Sequence, residues 1–282
     1  MCGSIWNWSI FVWFLDISSI FNICSDGALN ASSNDYASWN WKANGAGSAN
    51  TDGTINTTAT SANTTAGFSI VKWTGNGSNP STVGHGLGAV PKMIITKRIS
   101  GDTASWHSYH VSIGNNHEIY LNGANAKASN TTWNNTTPTS SVFTVNSASV
   151  NTSGAPYIAY CFAEKTGFSK FGSYTGNGNA DGTFVYTGFK PAWVMIKKTN
   201  DIHAWRIYDG VRDTYNLTEK ILEPNTSNAE ATSGTYVLDL VSNGFKFRGN
   251  GDGVNGSGQS FIYMCFAEAP LVGSNNTPCT AR

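Results

Sequence analysis

Two glutamates close the same apolar run at separate places in the chain, Glu164 after Cys161-Phe162-Ala163 and Glu268 after Cys265-Phe266-Ala267. Glycoside hydrolysis needs paired carboxylates about 5–10 Å apart, one as acid and one as base or nucleophile. Asp and Glu are few here, and a position that recurs in this way reads as scaffold, so no catalytic residue is assigned. Five histidines raise the question of metal. His107 and His110 are three apart on an expected strand and so point to opposite faces, and His85 lies in a Gly-rich turn, VGHGLG. All five read as exposed or hydrogen-bonded side chains, not metal ligands. Asp181 and Asp252 sit in Asn/Gly-rich loops whose density of oxygen donors is compatible with calcium, but neither loop has the spacing of a defined calcium site. They read as plain turns. A GxSxG elbow, a phosphate loop and a GxGxxG ahead of a helix are all missing, and no cofactor is expected.

Aromatic rings are the remaining chemical signal. Sugar recognition stacks rings on the apolar faces of sugars while Asn and Asp supply hydrogen bonds, in the general pattern of apolar walls with a few polar groups. Trp133 lies in an Asn/Thr-rich loop, NTTWNNTTPT, with no counterpart elsewhere in the chain. With Asn134 and Asn135 it is the preferred ligand-binding candidate. Trp73 and Tyr174 are kept as further candidates, although they occupy equivalent places, as do Trp106 and Trp205, and equivalence favours core or sheet packing.

That equivalence comes from an internal repeat. GFSIVKWTGNG (67–77) recurs as GFSKFGSYTGNG (167–178), and PKMIITKR (91–98) as PAWVMIKK (191–198). VNTSGAPYIAYCFAE (150–164) recurs as VNGSGQSFIYMCFAE (254–268). The unit is about one hundred residues, giving modules 67–166 and 167–282. LNASSNDYASWNWKA (29–43) resembles the last strand of the unit, so 25–43 is expected to be the terminal strand of a preceding or incomplete module, or else a donated edge of the first. The low-complexity stretch 44–66 reads as a polar linker.

In the second copy, strands are expected near 168–174, 183–187, 191–199, 203–209, 217–222, 235–241, 244–248 and 259–268, separated by turns such as Asn177-Gly178 and Asn243-Gly244. The continuously apolar YIAYCFAE and FIYMCFAE suit central strands covered on both faces. Only one short helical turn is allowed, within 217–231, where Pro224 interrupts it. The expected fold is all-β: two tandem sandwich or jelly-roll-like modules laid end to end.

Composition agrees. Only 12% of residues are charged and 30 are glycine, about half the usual charge of roughly 25% in globular domains. Lys plus Arg and Asp plus Glu number 17 each, so net charge is zero. No basic field is present to neutralise phosphate, so nucleic acid is not an expected partner. Five widely spaced cysteines form no disulfide framework, and Cys161 and Cys265 read as small hydrophobes in strands. Residues 5–24 are apolar and aromatic, but no Lys or Arg precedes Lys42, and Asn7, Asp16 and Asn22 interrupt the run. The segment fits neither a signal peptide nor a membrane span, and residues 1–24 are read as not native structure, with no membrane partner expected.

The motifs WNWKANGAG, GFSIVKWTGNGSN, VGHGLGAVPKMIITKR, YIAYCFAEKTGFSKFGSYTGNG, GFKPAWVMIKK and FIYMCFAE together resemble a domain of unknown function in large structural proteins of marine tailed bacteriophages. The resemblance spans residues 29–282. It implies a non-enzymatic virion protein, a tail-fibre or appendage module acting as spacer or host contact, with other virion proteins as partners. A homotrimer is expected by analogy with fibres. A carbohydrate-binding module that contacts a host-surface glycan is the alternative, and a capsid-decorating protein the third reading.

Overall fold

The computed structural model describes residues 31–101 and 103–268, so the expectation for residues 1–24 lies outside the described residues. Aromatic and β-branched runs punctuated by Gly and Asn give eighteen strands among the described residues. In chain order the first nine are β1 (Ala59–Asn63), β2 (Phe68–Thr74), β3 (Ser81–Gly84), β4 (Met93–Arg98), β5 (His107–His110), β6 (His117–Tyr120), β7 (Ala128–Ser129), β8 (Val142–Val145) and β9 (Pro156–Phe162). The rest are β10 (Ser169–Thr175), β11 (Phe184–Tyr186), β12 (Trp193–Lys198), β13 (Arg206–Asp209), β14 (Lys220–Ile221), β15 (Ala231–Thr232), β16 (Leu238–Val241), β17 (Gly244–Phe247) and β18 (Ser260–Phe266). Two single helical turns, α1 (Ala148–Asn151) and α2 (Asp252–Asn255), precede β9 and β18. The fold is all-β, as the sequence predicts. The helical turns fall in the VNxSG loops, not in 217–231, where none forms.

The repeat is visible strand by strand. The first main sheet runs β1-β2-β9-β4-β5-β6-β7 and the second β10-β18-β12-β13. In each, the late strand of the unit lies between its first and third strands, with antiparallel pairs such as Ile70↔Tyr160 and Phe171↔Met264. A smaller ladder faces each main sheet, β3-β8 in the first repeat and β11-β17-β16 in the second.

The two central strands explain why their sequences are apolar throughout. Along β9, Tyr157, Ala159 and Cys161 enter one core while Tyr160 and Phe162 enter another. Along β18, Phe261, Tyr263 and Cys265 enter a third core, and Ile262, Met264 and Phe266 join Tyr160 and Phe162. Period-2 alternation thus divides every residue between two covered faces. The core common to β9 and β18 also holds Phe68, Met93, Ile95, Trp193, Met195 and Trp205. The two main sheets therefore bury one face against each other. Tandem in sequence, the repeats stand face to face around a shared core instead of end to end.

Polar contacts cross the same junction. His110 Nε2 lies 3.1 Å from Tyr263 O, Trp205 Nε1 donates to Tyr120 O at 2.9 Å, and Lys127 N donates to Thr199 O at 2.9 Å. Two expectations for the N-terminal side change here. Residues 31–43 form no strand; Trp39 and Trp41 instead pack edge-on against Trp193, at 6.3 and 5.3 Å, at the border of the shared core. Residues 44–66 are not a linker. Ile55 is buried in the first repeat's own core, and β1 adds an edge to β2 in register Ser61↔Ile70. Small polar residues fill this role because Ser61 Oγ both accepts from Asn44 N and donates to Gly45 O, tying the segment down without bulk.

Candidate polar cleft of the first repeat

The aromatic candidates do not form a sugar platform. Trp133 is 2% exposed and meets Tyr109 edge-on at 6.1 Å within the first repeat's core. Its Nε1–H is buried with no acceptor among the described residues. Asn134 and Asn135 have φ of +54° and +48°, the left-handed region that Asn tolerates, so they are there to turn the chain. Trp73 is buried and stacked on Tyr157 at 5.3 Å. Tyr174 stacks on Phe261 at 4.9 Å and donates its hydroxyl to Val254 O. A loop that reads as polar in sequence thus carries an inward ring, because its tryptophan is the one large group available to fill space above Tyr109.

The calcium candidates are also committed elsewhere. Asp181 Oδ1 pairs with Lys246 Nζ at 2.6 Å. Asp252 Oδ2 lies 2.6 Å from Lys198 Nζ and 2.9 Å from His203 Nε2. Asp201, His203 and Asp252 cluster closely enough to share an ion, but the buried Lys198 ammonium already binds both carboxylates. Glu164 is likewise paired, with Lys170 at 2.8 Å.

Sequence reasoning passed over Glu118. This residue on β6 is fully buried and sits at the centre of a hydrogen-bond cluster. Its carboxylate meets His107 Nδ1 at 2.8 Å and accepts from Tyr120 OH at 2.6 Å, Thr132 Oγ1 at 2.8 Å and Asn130 Nδ2. Burial pushes its pKa up, but the bonds from His107, Tyr120 and Thr132 and the charge on His107 outweigh that and bring it down to about 2. The signal was present as HEIY beside HSYH: pairing of β5 with β6 sets His107 opposite Tyr120. Only the register reveals it.

His107 and Tyr120 are also where the surface opens. A cleft of about 430 Å3 lies between the β4–β5 loop and α1. Arg98, Ser105, His107, Tyr120, Ser149 and Thr152 are among the residues that line it. With Nδ1 turned to Glu118, His107 has Nε2 as its other polar atom, and its ring is fixed edge-on to Tyr120 at 5.2 Å. A buried carboxylate orienting an imidazole in a polar recess is an arrangement that can hold a hydrogen-bonding ligand at a defined angle.

Two other histidines are structural. His110 Nδ1 accepts from Ser112 N while Nε2 donates to Tyr263 O, a pattern that only the neutral ring makes. Burial lowers its pKa to about 4. His85 accepts from Leu87 N and meets Thr139 O in the same way, and burial lowers its pKa too.

The most repeated polar device is an asparagine clamp. Asn151, at the end of α1, donates to Asn76 Oδ1 and Ser78 O and accepts from Asn76 N, locking the TGNG turn. Asn255, at the end of α2, makes the same set with Asn177 Oδ1, Asn179 O and Asn177 N. Glycine is required beside the clamp, since a Cβ on Gly75 would stand 2.2 Å from Thr152 O. Among the described residues no helix is long and apolar enough to cross a membrane. No curated protein and no solved structure matches the chain. The model of a family described as a domain of unknown function, DUF7483, matches residues 17–270, and the chain belongs to that family.

Proposed function

We propose that the chain is a non-enzymatic structural module of a bacteriophage particle, used in a tail fibre or similar appendage as a spacer and host-contact element. The observation that carries this reading is the core shared between the repeats. Burying Phe162, Trp193, Met264 and Phe266 between two sheets ties both repeats into one body and resists relative motion. Such a body suits load and shape. The assignment to a phage rests on the resemblance of its motifs, and assembly into a homotrimer on analogy with fibres.

The second reading, a carbohydrate-binding module for host adsorption, is favoured by the polar cleft around His107 and Tyr120. Capsid decoration is the third. Antibodies raised against the purified chain and imaged on phage particles by electron cryo-microscopy test the first reading against the third. Label on a tail appendage is expected. Label on the head redirects the assignment to decoration, and particles without label contradict a virion role.

A further inference from the structure

We infer that the open flank of the second repeat is a strand-addition site for another polypeptide, taking an extended segment of small polar residues with one aliphatic anchor, whatever particle the module serves.

The first repeat shows what closes this flank. Residues 48–63 run across two strand edges there, that of β2 in the main sheet and that of β3 in the small ladder. β1 pairs with β2, and Thr58 N donates to Lys72 O at 2.7 Å. Ile55 bridges to Val83 in parallel, its N–H donating to Thr82 O at 3.0 Å. Thr54 N donates to Thr82 Oγ1 at 2.9 Å, and Thr82 N to Thr54 Oγ1 at 2.8 Å. The Ile55 side chain is buried in one core with Val83. The approach is close enough that a Cβ on Gly53 would stand 2.4 Å from Thr82 O. Within 48–63 Ile55 is the one large aliphatic residue and Asp52 the one charge.

The second repeat has the same two edges without the segment. β10 ends its main sheet and β11 its small ladder, and no described strand pairs with the outer side of either. Ala267 N donates to Phe168 O and Gly176 N to Gln259 O, so the even-numbered residues of β10 bond β18. Phe171, Ser173 and Thr175 therefore turn their main-chain groups outward. Glu164 takes the Phe171 N–H at 3.3 Å and Thr183 Oγ1 the Thr175 C=O at 2.9 Å, which leaves both groups of Ser173 and the Thr175 N–H on the open side. On β11, Phe247 N donates to Thr183 O, so the next residue, Phe184, also faces outward.

These are the positions that the segment bonds in the first repeat. Counting back from the shared TGNG turn sets Ser173 at the place of Lys72. Val185 pairs with Phe245 as Val83 pairs with Phe143, which sets Phe184 at the place of Thr82. Ser173, Thr175, Phe184 and Tyr186 are exposed. Sheet edges are ordinarily guarded by charge, proline or a bulge. Ser173-Tyr174-Thr175 and Phe184-Val185-Tyr186 carry neither charge nor proline. Main-chain bonds to such an edge supply affinity, and an anchor between the layers supplies specificity. A second copy offers no such segment among its described residues, because its own 48–63 is held by its first repeat.

The probe is a synthetic peptide of residues 44–63, labelled and titrated into the full chain by fluorescence anisotropy, with hydrogen exchange locating it on the complex. Saturable one-to-one binding is expected, with slowed exchange at Ser173, Thr175 and Phe184. Ser173→Pro deletes an outward N–H and leaves the ladder to β18 intact. Its melting temperature should be unchanged and its affinity for the peptide at least tenfold weaker. An Ile55→Asp change made in the peptide alone leaves the protein untouched and should also weaken binding at least tenfold. Absence of binding, equal binding of the Ile55→Asp or a scrambled peptide, or wild-type affinity in Ser173→Pro overturns the inference. So does slowed exchange confined to β2 and β3, the mark of a peptide replacing the chain's own segment.

Discussion

At the scale of single residues, the structure separates rings that fill space from polar groups that hold geometry. Trp133→Ala removes a buried ring packed on Tyr109 and is expected to cost about 3–5 kcal/mol of stability, measured by urea unfolding, with no specific effect on sugar binding at the cleft. Asn151→Ala removes the clamp on the TGNG turn and should cost roughly 2–4 kcal/mol, because several backbone and side-chain groups lose partners together. Asn255→Ala should behave alike, since its bonds are the same. His110 gives a pH signature. Its pKa is depressed from 6.5 to about 4 in the fold, so protonation is easier in the unfolded chain. Stability is therefore full above pH 6.5 and falls as pH drops toward 4, by up to roughly 3 kcal/mol. Glu118, brought from 4.5 to about 2, is also depressed, but its contribution is lost only at lower pH, below about 4.5. His110→Gln should flatten the stability profile between pH 6.5 and 4 and leave the steeper acid loss in place. An unaltered slope in that variant would show that other groups titrate there.

At the scale of elements, most strands were legible. All eight strand positions expected in the second copy are occupied, from β10 to β18, because Gly/Asn turns and alternating apolar runs specify them locally. Only the two-residue β15 was missed, having no apolar pattern of its own. The N-terminal side was misread for a physical reason. The stretch 44–66 is small and polar, which in isolation resembles a linker. Here it is an edge segment whose hydroxyls bond the backbone directly, as Ser61 does with Gly45. Likewise, the similarity of 29–43 to a terminal strand reflected aromatic spacing alone. The rings of Trp39 and Trp41 plug a border of the shared core without forming a ladder. Trp41→Ala should destabilise the protein by about 2–3 kcal/mol, less than the 3–5 of a fully buried ring since Trp41 is half-buried. A change within about 0.5 kcal/mol would mean that the segment lies on the body without supporting it.

At the scale of the molecule, the duplication itself was readable, but the relation between copies was not. Both faces of YIAYCFAE and FIYMCFAE are apolar, which requires two covering layers for each central strand without saying what the second layer is. Each repeat supplies one cover from its own small ladder and takes the other from its neighbour. The candidate site was similarly hidden: His107, Glu118 and Tyr120 converge only through the β5–β6 register, and the cleft beside them is lined by Ala104 and Ala148, where the other copy has His203 and Asp252. A shared core makes a sharp thermodynamic demand, since neither repeat can unfold without exposing the other's apolar face. Differential scanning calorimetry of the intact chain is the most direct test. One transition is expected, with calorimetric and van't Hoff enthalpies in agreement. Two resolved transitions, each following substitutions in only one repeat, would contradict the account.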